Sequence, residues 1–472
     1  MLLARRAPRS PEQTSTFVAA LVAAVASLSV AAIATILGPQ VAALVLLVPA
    51  SLVVLVIAFL RVPHVAVAVS IGFLMVLPAA KFFVAGWLGG LKEVLLVSAV
   101  IAASVAAVRG RARGADTHVD RMLLLTVIGF LFILALNVSG SHDAAWSNSF
   151  RLTATPLIWM LVGYSLEGST RTFRWAGLGL VVSACVVAVV GLAQQAIGPQ
   201  GLVDLGYRWN IDVRTVEGQF RSFGTLDEAF QYAAVLLLAL GVVMNSKLVG
   251  RARWPILALL LAGTAASFVR TAAVIALALC VLVAIRHRHR GLAGLLVVLS
   301  AASAVIFLGP AGGQPVERKP LQDRTATLGT LNGRTAVWAD AIGSPSALFA
   351  GRGVGTFASQ SLGPNSAAQA ATASDAASTA YADSSYVATL ASAGIPGLVL
   401  LVALLARLVS LVRSAIRAVP SIGWVLAATL VVLLVDALTR DSLWGVPNAT
   451  IGFLLIGLGL RATADRMRGT GT

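Results

Sequence analysis

Charge is what this chain of 472 residues has least of: Asp, Glu, Lys and Arg make up 11% of it, against 58% hydrophobic residues. With a mean hydropathy of +0.90, it lacks the polar side chains needed to cover a soluble surface of that size, which excludes the soluble classes. Cysteine is nearly absent as well. Cys185 and Cys280 each fall in the middle of an apolar run, on different predicted helices, so neither a disulfide framework nor a cysteine metal site is expected. Acidic residues are scarcer than basic ones, 19 against 35, for a net charge of +16. The cations gather in short loops and not on a soluble domain, so the excess speaks for topology and apposition to anionic lipid, and against a nucleic-acid partner.

What the chain does have is apolar runs almost end to end. A helix needs about 20 such residues to cross roughly 30 Å of hydrocarbon. Runs are read at 17–37, 41–60, 64–79, 91–108, 122–138, 150–167, 175–197, 225–244, 255–269, 271–285, 291–309, 385–406, 421–438 and 449–460. The expected fold class is an all-α polytopic membrane protein with about 12 to 14 transmembrane helices and a large extracytoplasmic loop. The first run follows a basic start with no small-residue cleavage site behind it, and reads as a retained span.

Alternate connections carry most of the 35 Lys and Arg residues: "LLARRAPRS", Arg61, "VRGRARGADTHVDR", "GSTRTFR", "NSKLVGRARW", "RHRHR", "ARLVSLVRSAIRAVP" and "RATADRMRGTGT". Short loops rich in Lys and Arg stay cytoplasmic, so these eight and both termini are assigned to that side. The expected organisation is N-terminal transmembrane helices over 1–197, an outer loop over 198–224, and transmembrane helices with arginine motifs over 225–309. A large extracytoplasmic loop follows over 310–384, then C-terminal helices and a cytoplasmic tail over 385–472. Within the large loop, Arg334, Trp338 and Ile342 share one face of a predicted surface helix. The Ser/Ala/Thr-rich stretch 365–380 reads as a mobile lid or spacer.

Arg221, Arg270, Arg334 and Arg352 all fall on the predicted outer side, where cations run against the insertion bias. A guanidinium binds phosphate oxygens bidentately and keeps its charge in any surroundings, so several of them at one membrane surface point to a lipid diphosphate. The competing reading is that each one snorkels to headgroups. "GRGVG" has neither the preceding strand nor the βαβ context of a nucleotide loop and reads as a tight turn. Of the five histidines, His142 alone lies clearly in an outer loop, where a solvated residue is the simpler reading.

The order of these motifs resembles the O-antigen ligase and O-antigen polymerase superfamily of bacterial membrane glycosyltransferases. "RSFGTLDEAFQYAA" looks like that family's arginine, glycine and small-polar segment leading into a span, and "TAASFVRTAAVIALAL" like its second arginine motif. "GRTAVWADAI" with "GRGVGTF" is similar to its arginine-to-tryptophan helix and glycine turn. "DSSYVATLASAGIPGLVLLVALL" resembles the return to the membrane, with Gly394 and Gly397. The N-terminal 200 residues or so match only as generic membrane helices.

The resemblance implies that an acceptor sugar hydroxyl attacks the anomeric carbon of a polyprenyl-diphosphate-linked oligosaccharide, outside the cytoplasmic (inner) membrane of a bacterium. Arg221 and Arg270 would act with Asp383 in catalysis, while Arg334, Arg352, Trp338 and Tyr386 would bind substrate. Ligase members usually carry a His where this chain has Asp383. That departure favours polymerase-type members, with an O-antigen ligase as the alternative, and it leaves helix capping open as a role for Asp383. No cofactor is implied. No metal is expected either, since the first outer loop, "GPQ", offers no acidic residue. The implied partners are the lipid-linked oligosaccharide, an acceptor glycan or lipid, a flippase and a chain-length regulator. A lipid-linked glycan transporter would place ionisable residues near mid-membrane, where the spans have almost none. A non-catalytic subunit of a polysaccharide assembly complex also fits Asp383.

Overall fold

A computed structural model describes residues 39–84, 86–112, 120–136, 144–166, 169–208, 213, 215–216, 219–287, 345–355, 384–444 and 447–469. The helices, in chain order, are α1 (Pro39–Arg61), α2 (Pro63–Phe83), α3 (Leu91–Ala112), α4 (Arg121–Leu136), α5 (Ala144–Ser165) and α6 (Ser169–Asp204). They continue as α7 (Ala229–Asn245), α8 (Arg253–Ala266), α9 (Arg270–His287), the short α10 (Pro345–Ala350), α11 (Ser385–Ala418), α12 (Pro420–Thr439) and α13 (Asn448–Gly469). All of them except α10 fall on apolar runs read from the sequence. The runs at 17–37 and 291–309 lie outside the described residues. A pair of two-residue antiparallel strands, β1 (Thr215–Val216) and β2 (Gln219–Phe220), sits between α6 and α7.

Five of these helices are long and apolar enough to cross a membrane. Several others, among them α4 and α9, carry large exposed apolar side chains at helical spacing: Leu125, Ile128 and Phe132 on α4, Val274, Leu277, Val281 and Ile285 on α9. Such stripes are tolerable only against lipid, where the backbone is satisfied inside each helix. The fold is that of an all-α polytopic membrane protein. At its centre stands α7, whose residues Tyr232 to Asn245 are all buried. A helix apolar on every side belongs inside a bundle.

The two ends of the bundle differ in chemistry. At the end with the basic loops, arginines satisfy carbonyls at helix C-termini: Arg253 Nη2 donates to the Met244 carbonyl at 2.7 Å, and Arg286 Nη1 to that of Asn245 at 2.6 Å. Arg407 of α11 pairs there with Asp120, just before α4, and the guanidinium holds that carboxyl below its usual range. Cations at helix C-termini also meet the negative end of the dipole.

At the opposite end, two helices depart from the spans expected for them. The α6 helix passes the predicted boundary at 197, turns at Gly198 (φ +77°) before Pro199, and continues to Asp204. The first residues of the predicted outer loop 198–224 are therefore helical. Within α11 the backbone breaks at Gly394 (φ +66°), two residues before Pro396. Proline has no N–H to offer the Ser392 carbonyl four residues earlier. The glycine turn after α10 supplies one: Gly353 N–H donates to Ser392 O at 3.2 Å and Arg352 N–H to Ala391 O at 2.6 Å.

Gly394 is required there twice over, by its left-handed φ and because a Cβ would collide with the Phe349 carbonyl oxygen. Gly394→Ala should cost about 1 to 2 kcal/mol from the backbone alone, with the collision added. Thermal unfolding of the detergent-solubilised protein should show a lowered midpoint, and an unchanged one would mean that the turn does not dock on α11.

Candidate functional site

The segment "RSFGT", Arg221 to Thr225, is threaded into this end of the bundle and pinned by side-chain amides. Gln194 of α6 accepts from the Phe223 and Gly224 N–H groups at 3.1 and 2.8 Å and donates to the Gly224 carbonyl at 2.8 Å. Gln195 donates to Phe220 O, Ser222 Oγ and Ala266 O at 2.8–3.1 Å. Thr225 takes up the Met75 carbonyl and the Ala79 N–H of α2, an i→i−4 pair beside Pro78. A proline that weakens a helix ladder thus creates a dock for another segment. The two glutamines end a predicted span, and a pair of amides in an apolar run costs free energy unless both are bonded. That was the available signal for them.

This clamp ties the segment that carries Arg221 to the turn that precedes Arg270. Ser222 N–H donates to the Ala266 carbonyl at 3.1 Å, tying the residue after Arg221 to the α8–α9 turn. That turn is strained, with Phe268 at φ +48°. Arg270 follows it as the first residue of α9, exposed.

The guanidinium of Arg221 lies 5.5 Å from the centre of the Phe230 ring, and that of Arg440 lies 4.3 Å from the same ring. Two arginines more than 200 residues apart in sequence therefore meet at one aromatic ring, an arrangement that cation–π attraction supports. Arg440, at the end of α12, is fixed by Glu228 at 3.2 Å and by Asp436 at 3.9 Å. The sequence reading missed Arg440, although "LTRDSLWG" puts an arginine and an aspartate on the same side as the four it selected.

Beside Arg440, the start of α11 is stitched to the end of α12. Ser385 N–H and its hydroxyl both reach the Arg440 carbonyl, at 3.0 and 3.1 Å, and the hydroxyl accepts from Leu443 N–H at 3.1 Å. Ser384 donates to the Ala437 carbonyl at 3.2 Å. The Ser385 hydroxyl also bonds the Asp441 carboxylate, whose Oδ1 is cut off from solvent.

Burial pushes the Asp441 carboxyl up from 3.8 to about 7, with the Ser385 hydrogen bond and the Arg440 charge pulling the other way. Desolvation outweighs both, since a fully buried carboxylate loses more in leaving water than one hydroxyl and one neighbouring charge return. Asp441 lines a cleft of ≈ 380 Å³ of empty space, part of it open to solvent, together with Ser149 and Thr153 of α5, Thr389 of α11, Val354 of the glycine turn and Trp444. Arg352, half-buried, belongs to that same turn.

The other predicted site residues fare differently. Tyr386 packs against the apolar core and is not among the residues lining the cleft. Asp383, Arg334, Trp338 and His142 lie outside the described residues, as does the stretch 365–380. Asp383 immediately precedes the stitched serines in sequence. Among the described residues no three His, Cys, Asp or Glu side chains are grouped as a metal site would need.

Residues 254–402 match the O-antigen ligase family. Over that segment the chain is similar to an O-antigen ligase domain. A comparison with curated proteins finds no match. The matched O-antigen ligase segment holds α8, α9, the glycine turn and the broken part of α11, and so includes Arg270, Arg352 and Gly394. Arg221 and Phe230 precede it, and Arg440 and Asp441 follow it. The match supports a glycosyltransferase-like function in surface polysaccharide synthesis, the class in which a lipid-linked glycan and an acceptor are the substrates.

Proposed function

We propose that this protein polymerises polyprenyl-diphosphate-linked oligosaccharides on the extracytoplasmic face of the bacterial inner membrane, for O-antigen, capsule or exopolysaccharide. The observation that carries the reading is the pairing of Arg221 and Arg440 on Phe230, close to the buried carboxylate of Asp441. Two fixed guanidiniums suit the charge that develops on a departing diphosphate, and electrostatic preorganisation of that kind is the largest contribution such a site makes. Arg270 and Arg352 stand on flanking turns and add to the positive field; Arg334 and Trp338 of the large loop are assigned to the glycan.

In the reaction, the acceptor hydroxyl oxygen attacks the anomeric carbon and a new glycosidic bond forms. The bond from that carbon to the diphosphate oxygen breaks, and its electron pair leaves with the polyprenyl diphosphate. The hydroxyl proton passes to a carboxylate. Asp441, raised to about 7, is a competent base at neutral pH, whereas an ordinary carboxylate is a feeble one. Asp383, two residues before Ser385, is assigned the orientation of the acceptor. The arginines supply the electrostatic work that a divalent ion does elsewhere, so the reaction is assigned as metal-independent. A flippase would deliver the donor and a chain-length regulator would end polymer growth.

Polymerase is preferred over ligase because Asp383 stands where ligases of this superfamily usually have His. Purified full-length protein supplied only with a lipid-linked oligosaccharide should produce a ladder of polymers and free polyprenyl diphosphate. A single transfer seen only after a glycolipid acceptor is added would make the protein a ligase, and no release of diphosphate lipid under either condition would end the transferase reading.

A further inference from the structure

The end of the bundle with the basic loops gathers cations from three helix ends. The α8 and α9 helices are joined at the other end by the Phe268 turn, and both pack on α7. Here each sends one arginine to the last residues of α7: Arg253 to the Met244 carbonyl at 2.7 Å, and Arg286 to the carbonyl and side-chain oxygens of Asn245 at 2.6 and 3.2 Å. Two guanidiniums from different helices are thus held on consecutive residues, close enough for Arg253 to act on Arg286 as a like charge.

A helix C-terminus offers about half a negative charge, and this one meets two positive ones. Among the described residues no carboxylate makes up the difference. Neither arginine has an ion pair there, and Asp120 and Asp465 are taken by Arg407 and Arg461. Lys247 and Arg251, exposed in the loop from α7 to α8, add two more cations without a carboxylate partner among the described residues.

Beside this cluster the surface is apolar. Trp254, next to Arg253, is 61% exposed, and the exposed stripe Val274, Leu277, Val281 and Ile285 ends one residue before Arg286. A tryptophan at the start of a membrane helix marks the level of the headgroups, and the stripe offers a wall to acyl chains. We propose that Arg253 and Arg286 form a binding site for the phosphodiester of an anionic phospholipid, with Lys247 and Arg251 over the headgroup and an acyl chain along α9. Each guanidinium carries five N–H donors, of which the α7 oxygens take one or two, so donors remain for phosphate oxygens. The bound headgroup would supply the missing charge and tie α8 to α9 across the end of α7. This site lies at the far end from Arg221 and Arg440 and stands whether or not the transferase reading does.

The test is binding of dioleoylphosphatidylglycerol to the full-length protein in a neutral detergent, counted by native mass spectrometry beside dioleoylphosphatidylcholine. The wild type should bind one phosphatidylglycerol about tenfold or more tightly than phosphatidylcholine, as expected for a charge-assisted hydrogen bond. Arg253→Gln and Arg286→Gln should each remove that preference. Arg286→Lys, which keeps the charge, should retain it and serves as the folding control. Arg61→Gln, exposed at the end of α1 in another basic loop, should leave it intact. Equal binding of the two lipids by the wild type would overturn the site without recourse to any variant. A preference lost equally in Arg61→Gln would make it a property of the whole basic surface and overturn the site as well. Displacement of the bound lipid by equimolar glycerol 3-phosphate would make the occupant a soluble phosphate compound and overturn the phospholipid assignment.

Discussion

Asp441→Asn should lower glycosyl transfer by about 10² to 10⁴, the range typical for loss of a general base, with donor binding little changed because the arginines are untouched. The wild-type rate should carry the signature of the group. Its carboxyl is raised to about 7 and the carboxylate is the active form, so the rate should fall about tenfold per pH unit below that value and level off above it. Arg440 and Ser385 both pull the Asp441 value down. Arg440→Gln and Ser385→Ala should therefore each move the midpoint of the profile upward.

Stability gives an independent readout. A carboxyl whose folded value exceeds its ordinary 3.8 stabilises the fold most at low pH, and that contribution is lost as the pH rises through about 7. Asn carries no such dependence, so Asp441→Asn should gain in thermal midpoint relative to wild type above pH 7. An Asn variant that is well folded, fully active and without a shifted profile would remove Asp441 from catalysis and return the proton to Asp383.

The second large effect is expected at the two arginines on Phe230. Arg440→Gln and Arg221→Gln should each reduce turnover of a lipid-linked oligosaccharide by about 10² to 10³, comparable to removing one oxyanion donor. Lysine should rescue neither of them fully, since an ammonium has no flat face to lay on Phe230 and no fork for two phosphate oxygens. For Arg440 a further loss is expected, because Glu228 and Asp436 would be left around a point charge with a different reach. The assay is release of polyprenyl diphosphate at saturating acceptor, normalised to folded protein. Arg270 is the discriminating control: as an exposed residue at a helix start it either grips the diphosphate, in which case Arg270→Lys is impaired, or snorkels, in which case Lys is fully active and Arg270 leaves the site.

The membrane class and the positions of the helices were legible in the sequence because they depend on local composition. An apolar run of the right length has to be a buried helix, and an arginine on the sparsely charged side stands out without any knowledge of its neighbours. Arg221, Arg270 and Arg352 were selected that way. Arg440 and Asp441 had the same kind of signal but no motif to draw attention to them, and nothing local in "TRDS" says that the carboxylate loses its water.

What only the tertiary structure decided is who meets whom. Phe230 collects two guanidiniums from distant segments. Gln194 and Gln195 hold "RSFGT" in place, and Gly353 supplies the N–H that Pro396 cannot. Apart from Arg221 on Phe230, each of these is a hydrogen bond or a stacking contact between groups that the chain separates by tens to hundreds of residues. Such contacts are set by how the helices pack around α7, where small differences in register choose among many partners of the same chemical type. The pattern of apolar residues, which fixes the helices, is indifferent to that choice.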